Sequence, residues 1–323
     1  MSESTRALVY TAPQQCDLRE VPLARMQDGM VEVRTLYSAI SRGTERLVFN
    51  GLVPASEYSR MRAPFQSGDF PFPVAYGYAA VGLVEDGPAD LIGKHVFSLS
   101  PHQEVIRLPA PAVVPLPDGV PPARAVLAAN TETALNAIWD SEIAPGTSVL
   151  VVGAGLLGCL IAALLSVRTD LTVFIIDVLP ERGAILTDFP VRFITTTEKL
   201  NPVATVFHTS ATGAGLQAGL EALAFEGQVI ELSWYGDTPV TLDLGGAFHA
   251  NRLTIKSSQV GHVATSRRAS TTYRDRLLAA LGHLRDPGLD ALVTEELAFD
   301  ALADNLPRLL GPAATGIASR IRY

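Results

Sequence analysis

Three glycines and one acid are spaced as a dinucleotide-binding sequence requires. Gly153, Gly155 and Gly158 follow a β-branched run, and Asp177 ends a second such run about 20 residues later. In this pattern the first glycine permits a tight turn, the second lets the backbone approach a pyrophosphate, and the third lets a helix pack closely on the strand. The helix N-terminus supplies N–H groups for the phosphates. The predicted phosphate-binding residues are Gly153, Ala154, Gly155, Leu156, Leu157 and Gly158.

Asp177 also predicts which dinucleotide binds. A carboxylate at this position accepts hydrogen bonds from the adenosine ribose and repels a 2′-phosphate, which favours NAD(H) over NADP(H).

Two other interpretations of the segment stay open. The uncharged run 143–167 is long enough to span a bilayer, although Pro145 and several glycines disfavour that interpretation. The same strand and helix could also form without binding a nucleotide.

The composition restricts the classes of partner. The chain has 323 residues, enough for two domains, and its 25 basic against 33 acidic residues give a net charge of −8. This balance disfavours nucleic acid and an anionic membrane surface, so we expect neither as a partner. The 2 cysteines cannot build a disulfide framework or a thiolate zinc site. The first residues lack the basic stretch followed by an apolar stretch that a signal peptide has, which predicts a cytoplasmic protein. The expected partner is a small-molecule substrate.

Changes in the spacing of apolar residues indicate the elements that hold these groups. Short β-type runs fill 6–120, interrupted by a long loop at 54–73, and a helix begins at about Pro121 and continues towards Trp139. Beyond Asp177, strands and helices alternate, which predicts a parallel sheet with helices on both faces. The predicted fold class is α/β, a doubly wound parallel sheet of the Rossmann type joined to a β-rich domain.

The order of these parts resembles the medium-chain dehydrogenase/reductase superfamily, of the alcohol dehydrogenase type, over essentially the whole chain. The segment 144–155, A-P-G-T-S-V-L-V-V-G-A-G, resembles the entry to its nucleotide fold. The resemblance implies a GroES-like catalytic domain at 1–125 and 264–323 and a Rossmann domain at 126–263. The segment 38–51, S-A-I-S-R-G-T-E-R-L-V-F-N-G, is most similar to the branch containing the bacteriochlorophyllide hydroxyethyl dehydrogenases.

The positions that hold catalytic zinc in this superfamily carry other residue types here. The first falls on Ser41 or Arg42, the second on Tyr78, and the third near Ala129 and Asn130. Catalytic zinc needs three nitrogen, sulfur or carboxylate ligands in one cleft. We therefore predict an enzyme without zinc that retains hydride transfer.

An enzyme without a metal needs another group to polarise a carbonyl or supply a proton. Tyr78 is the first candidate, because it replaces a ligand, and the alternative is a buried core tyrosine. The resemblance adds Glu45, which could instead form a structural salt bridge, together with Thr44 and Asn130. A capping or solvent-facing role is favoured for Glu132.

The remaining cofactor contacts follow from the resemblance and from the strand ends. Thr133 is similar to the threonine near the nicotinamide ring in the family, and Arg182 could flank the adenine or be an ordinary surface residue. Ser210 and Ser233 end successive strands, where open parallel sheets bind ligands. For His102 a structural role is favoured.

Three functions remain in competition. The first is an NAD(H)-dependent dehydrogenase or reductase for an alcohol/carbonyl pair, and the second is a quinone or enone reductase, against which Asp177 weighs. The third is a non-enzymatic dinucleotide sensor.

The resemblance implies a homodimer in which edge strands such as 253–256 pair. Aromatic residues of the loop 52–73 could supply an apolar wall for a bulky substrate or could pack over the domain cleft.

Overall fold

The computed structural model describes residues 3–323, which divide into two units. The first unit holds the described residues up to Ala129 together with Leu284–Tyr323, and the second is Asn130–His283. The return to the first unit thus comes at Leu284, later than the predicted boundary at residue 264. The reason is the helix 273–283, whose Arg276 binds Glu132 and keeps the helix in the second unit.

The described chain contains strands and α-helices with the following bounds, each series numbered in chain order. The strands are β1 Ser4–Ala12, β2 Gln15–Pro22, β3 Met30–Ile40, β4 Ser67–Gly68, β5 Val74–Ala75, β6 Ala80–Asp86, β7 His95–Ser98, β8 Val105–Pro109, β9 Val114–Pro115, β10 Ser148–Val152, β11 Thr172–Ile176, β12 Arg192–Ile194, β13 Val203–His208, β14 Leu223–Glu231, β15 Thr254–Ser257, β16 Val293–Ala298 and β17 Ala318–Arg322. The helices are α1 Arg42–Asn50, α2 Pro122–Ala125, α3 Ala128–Ser141, α4 Leu156–Ser166, α5 Gly213–Glu221, α6 Ala247–Ala250, α7 Tyr273–His283 and α8 Leu302–Leu310.

The first unit is built from two sheets. One has the order β2-β1-β5-β4, and the other has the order β16-β17-β3-β6-β7-β9 with β8 also paired to β3. Alternate residues of β3 point into a core that includes Val31 and Val33. The C-terminal strand β17 runs antiparallel to β3, with Ile321 opposite Ser38, so the tail completes a sheet whose centre is formed by residues from the N-terminal part of the chain.

The second unit contains the parallel sheet that the sequence predicts. Its strand order is β12-β11-β10-β13-β14-β15, and every neighbouring pair is parallel. Together with the β-rich first unit, this sheet confirms the predicted α/β fold class. The uncharged run 143–167 forms β10 and the buried helix α4, and no helix within residues 3–323 is long and apolar enough to cross a membrane.

The helices of the structure differ from those predicted from the sequence in two places. The single helix expected from Pro121 towards Trp139 is two helices, α2 and α3, and the chain passes from the first unit to the second within α3, at Asn130. The helix α1 was not predicted, because Gly43 and four polar or charged neighbours obscure its apolar face. This helix carries Thr44 and Glu45.

Candidate functional site

Three hydroxyl groups meet in the first unit at the start of α1. Tyr78 follows β5, and its phenol forms hydrogen bonds with the side chains of Ser41, the N-cap residue, and Thr44. Burial raises the pKa of Tyr78 to about 12, although these two hydroxyl groups lower it in part. The phenol therefore stays protonated at neutral pH and can donate a hydrogen bond to a carbonyl or alkoxide oxygen.

A buried carboxylate holds this turn of the chain in place. Glu45 Oε1 accepts a hydrogen bond from the backbone N–H of Ser41 at 2.7 Å. Its Oε2 accepts from the Tyr10 hydroxyl at 2.8 Å and pairs with His102 Nε2 at 3.0 Å. Glu45 is completely buried, so these three donors replace the water that an isolated carboxylate would need. The carboxylate thus fixes Ser41, one of the three hydroxyl residues.

The hydrogen bonds continue from His102 to the C-terminus. His102 Nδ1 lies 2.7 Å from Ser38 Oγ, which lies 3.0 Å from the Tyr323 hydroxyl. Since Glu45 accepts from Nε2, the Nδ1 atom accepts from Ser38, and Ser38 in turn accepts from Tyr323. The structural role favoured for His102 agrees with this placement, because the residue is buried and both of its ring nitrogens are bonded.

Aromatic side chains connect the long loop to Tyr78. The rings of Tyr58 and Phe70 are 5.8 Å apart, those of Phe70 and Tyr76 are 5.7 Å apart, and those of Tyr76 and Tyr78 are 6.0 Å apart. The last pair meets edge to face, a favourable arrangement of aromatic rings. This row of rings places apolar surface of the loop beside the hydroxyl groups.

The glycine-rich loop of the second unit has the geometry that its sequence predicts. Gly153 has a φ of 104°, which other residues rarely adopt, and a Cβ on Gly158 would lie 1.8 Å from the carbonyl oxygen of Gly153. Around Gly155 there is open space, since a Cβ there would meet no atom within 4 Å. A phosphate could therefore approach the backbone at the N-terminus of α4, where Gly155 is the N-cap residue.

Asp177 faces this loop from the end of β11. Its Oδ2 accepts hydrogen bonds from the Ala154 N–H at 2.7 Å and from Arg182 Nη1 at 2.9 Å. Its Oδ1 accepts from the Leu179 N–H at 3.0 Å. Arg182 is largely buried by this ion pair and is not an ordinary surface arginine. The bond from Ala154 thus holds the carboxylate of Asp177 against the glycine-rich loop, an arrangement that fits a nicotinamide dinucleotide.

The other residues expected near the cofactor lie in this unit as well. Asn130 and Thr133 are on α3, whereas Tyr78, Glu45 and Thr44 are in the first unit.

The capping or solvent-facing role expected for Glu132 is wrong. This residue is buried, and its carboxylate accepts from Arg276 Nε at 3.0 Å. Burial raises the pKa of Glu132, although the Arg276 guanidinium opposes that shift.

A buried hydrogen-bonded pair, His208 and Glu231, joins the ends of β13 and β14. His208 Nδ1 lies 2.8 Å from Glu231 Oε2, and His208 Nε2 lies 2.7 Å from Ser210 Oγ. Ser233, predicted as a cofactor contact, donates its backbone N–H to Glu231 Oε1 at 2.7 Å. The two serines were predicted from the sequence, whereas the His208–Glu231 pair was not. A histidine and an acid that end adjacent strands of one sheet would have been the signal.

The residues at the three matched zinc positions do not fit a zinc ion. Ser41 and Tyr78 present hydroxyl groups, and the Arg42 guanidinium donates to the carbonyl oxygens of Ala314 and Gly316. Within residues 3–323 no three histidine, cysteine, aspartate or glutamate side chains come together as a metal site would require.

Comparison with known proteins finds the fold but no sequence relative. No protein-family model matches the chain, and no curated protein sequence does. L-idonate 5-dehydrogenase from Escherichia coli superimposes with a TM-score of 0.79 at 13% identity, covering 100% of this chain and 99% of that one. 2R,3R-butanediol dehydrogenase from Bacillus subtilis gives 0.77 at 15%, covering 99% of both chains. The alcohol dehydrogenase of Thermus sp. ATN1 gives 0.76 at 18%, covering 98% and 99%.

The chain has the fold of these dehydrogenases. Identities of this size show the fold alone, so the chemistry has to be argued from the residues that this chain places on it.

Proposed function

We propose that the protein is a zinc-independent, NAD(H)-dependent oxidoreductase that interconverts an alcohol and a carbonyl compound. The observation that carries the proposal is the contact between the Gly153–Gly158 loop and Asp177, where the carboxylate accepts the Ala154 N–H. Solved dehydrogenases of the same fold support it. One of them, an alcohol dehydrogenase from Escherichia coli at 14% identity and a TM-score of 0.77, is described as complexed with NADH.

The choice of NAD(H) follows from charge. The Asp177 carboxylate would repel the 2′-phosphate of NADP(H), and it can accept a ribose hydroxyl through a remaining lone pair on Oδ1. The backbone at Gly155 and the N-terminus of α4 would bind the diphosphate. When bound, the nicotinamide supplies or accepts the hydride.

The hydroxyl groups of the first unit would handle the substrate oxygen. Tyr78 holds its proton at Oη across the neutral range and can donate it in a hydrogen bond to the carbonyl oxygen, which gains negative charge during reduction. Ser41 and Thr44 donate to the phenol oxygen and lower its pKa from the value that burial alone would set, which helps the phenol to release that proton. Glu45 acts as a positioning residue, because it fixes the backbone of Ser41.

Zinc independence is supported by the chemistry of the matched positions. The first position offers a hydroxyl group on Ser41 or a guanidinium on Arg42, and the second offers the phenol of Tyr78. The third falls on Ala129 or Asn130, neither of which carries a thiolate, imidazole or carboxylate. The test is elemental analysis of the purified protein before and after exposure to zinc. We expect no stoichiometric zinc, and one tightly held zinc per chain would contradict this part of the proposal.

The substrate should include an apolar ring system. Tyr58 and Tyr78, the two ends of the row of aromatic rings, are half-buried and can pack against such a group, whereas Phe70 and Tyr76 between them are buried. The similarity of 38–51 to the bacteriochlorophyllide hydroxyethyl dehydrogenases points the same way, towards a secondary alcohol on a large ring. A substrate screen should therefore contain aryl and tetrapyrrole hydroxyethyl compounds beside simple alcohols, aldehydes, quinones and enones.

The experiment that tests the function compares Tyr78→Phe with the unmodified protein. Removing the phenol hydroxyl should lower turnover by roughly 10²-fold or more and leave NADH affinity nearly unchanged, as expected for loss of one donor to a developing oxyanion. Tyr37→Phe is the matched control, since Tyr37 lies on β3 with its ring under Arg320. Clear NADH binding with no hydride transfer to any compound would indicate a sensor, and transfer only to quinones or enones would indicate the other reductase class.

We also propose that the protein forms a homodimer through β15. This strand is at the edge of the six-stranded sheet of the second unit, where its outer hydrogen-bonding groups have no neighbouring strand. Light scattering at micromolar concentration should give twice the mass of 34.4 kDa. A monomer under those conditions would contradict the proposal.

A further inference from the structure

A serine, a histidine and a glutamate form a continuous hydrogen-bonded chain in the second unit. Ser210 Oγ is 2.7 Å from His208 Nε2, and His208 Nδ1 is 2.8 Å from Glu231 Oε2. These are the distances and the ring-nitrogen assignments by which a general base activates a serine nucleophile. Ser210 is also predicted to contact the cofactor, but such a contact requires neither a buried imidazole on the serine oxygen nor a carboxylate on that imidazole.

The surroundings keep Glu231 ionised. Burial opposes ionisation, but the hydrogen bond and charge of His208 and the amide and hydroxyl of Ser233 lower the pKa of this carboxyl. The Tyr235 hydroxyl donates to Oε2 at 3.1 Å, and its ring stacks on the imidazole with 6.5 Å between centroids. A carboxylate held in this way orients His208 with its proton on Nδ1, which leaves Nε2 free to accept from Ser210.

The serine lies at the boundary between the buried imidazole and solvent. His208 is completely buried, Ser210 is half-buried and Thr212 is exposed. A Cβ on Gly215 would lie 2.3 Å from Ser210 Oγ and 3.0 Å from His208 Nε2, so only glycine leaves room for this bond. Thr212 Oγ1 lies 3.0 Å from Ser210 Oγ, and because the serine gives its only proton to His208 Nε2, Thr212 is the donor in this second bond.

We propose that Ser210, His208 and Glu231 are a nucleophilic site that accepts an acyl group from a carboxylic ester. Ser210 Oγ forms a bond to the ester carbonyl carbon while its proton passes to His208 Nε2. The bond to the alcohol leaving group breaks, and that alcohol takes the proton from His208. Water then attacks the acyl-serine with His208 accepting its proton, and Ser210 recovers that proton as the carboxylic acid departs.

The helix that follows offers donors for the charged intermediate. The helix α5 begins at Gly213, three residues after Ser210, and its first two amides, of Gly213 and Ala214, have no acceptor among the described residues. Such N–H groups can stabilise the oxyanion that forms when serine attacks a carbonyl. The second serine nearby, Ser233, lacks a base, because the closest ring nitrogen is the Nδ1 atom that is bonded to Glu231.

The test uses the full chain without cofactor and an alkyl fluorophosphonate, a reagent that modifies activated serines. Intact-mass measurement should show one adduct, and peptide mapping should place it on Ser210. The adduct should be absent from Ser210→Ala and present in Ser270→Ala, a control in which an exposed serine donates only to the Arg267 carbonyl oxygen. Hydrolysis of 4-nitrophenyl acetate should fall roughly 10²-fold or more in Ser210→Ala.

Two further measurements separate a nucleophile from a structural serine. Glu231→Gln preserves the shape of the side chain but removes its charge, so labelling should slow by roughly 10-fold or more. His208→Gln removes the base that accepts the serine proton, so labelling should fall further still. An adduct on a different residue, equal labelling of Ser210→Ala, or a rate indifferent to both Glu231→Gln and His208→Gln would overturn the proposal.

Discussion

Replacing Glu45 by glutamine and by alanine separates hydrogen bonding from charge in the buried network of the first unit. The carboxylate has three donors, the Ser41 N–H at 2.7 Å, the Tyr10 hydroxyl at 2.8 Å and His102 Nε2 at 3.0 Å. In Glu45→Gln the amide oxygen can still accept from Ser41. The two N–H bonds of the amide would point to the Tyr10 oxygen and to His102 Nε2, where the carboxylate oxygen had been.

This rearrangement requires the histidine to change its tautomer. With Nε2 accepting, His102 Nδ1 carries the proton and donates to Ser38, which then donates to Tyr323. The Tyr10 hydroxyl then accepts from the amide, so its own proton is a buried donor left without an acceptor, and Glu45→Gln should lose about 1–3 kcal/mol. Glu45→Ala leaves three buried groups without a partner at about 1–3 kcal/mol each, which predicts a loss of about 3–9 kcal/mol.

Urea unfolding of the two variants measures this difference. We expect Glu45→Gln to unfold at a urea concentration between those of the unmodified protein and Glu45→Ala, since the loss in Glu45→Ala is a large part of the roughly 5–15 kcal/mol that stabilises most proteins. Nitrogen NMR of the imidazole should show the tautomer of His102 reversed in Glu45→Gln. Equal losses in both variants would refute the reasoning, because the charge rather than the bonding would then be what the site requires.

Three other expectations follow from the two candidate sites. Asp177→Ser should narrow the preference for NADH over NADPH in fluorescence titrations, and tighter NADPH binding by the unmodified protein would show that the carboxylate does not set the preference. Gly155→Ala should weaken NADH binding while leaving the unfolding temperature unchanged, because its Cβ enters only open space, whereas Gly158→Ala should lower that temperature, because its Cβ meets the Gly153 carbonyl oxygen. Since the pKa of Tyr78 is raised to about 12, from about 10 in an unfolded chain, its protonated form stabilises the fold fully below pH 10. That contribution is lost as the pH rises through about 12, so the alkaline fall in unfolding free energy should be shallower in Tyr78→Phe than in the unmodified protein.

The dinucleotide loop could be predicted from the sequence because its requirements are local. The turn at Gly153 and the close packing at Gly158 depend on residues within a few positions, and the structure shows the expected φ and the expected contact. Asp177 could be predicted as well, because it follows β11, which is next to β10 both in the sequence and in the parallel sheet. Glu132 was misjudged for the opposite reason, because its partner Arg276 is 144 residues away.

By itself, then, the sequence determined the class of the fold, the glycine-rich loop with the acid beside it, and the absence of zinc-ligand types at the matched positions. Tertiary structure alone decided what Glu45 and Ser210 contact. The carboxylate meets His102 across 57 residues, and Ser38 meets Tyr323 across 285 residues, because β17 pairs with β3 in one sheet. His208 meets Glu231 because β13 and β14 end at the same edge. Local sequence patterns do not predict which distant strands pair or in which register, since that pairing depends on how the whole core packs.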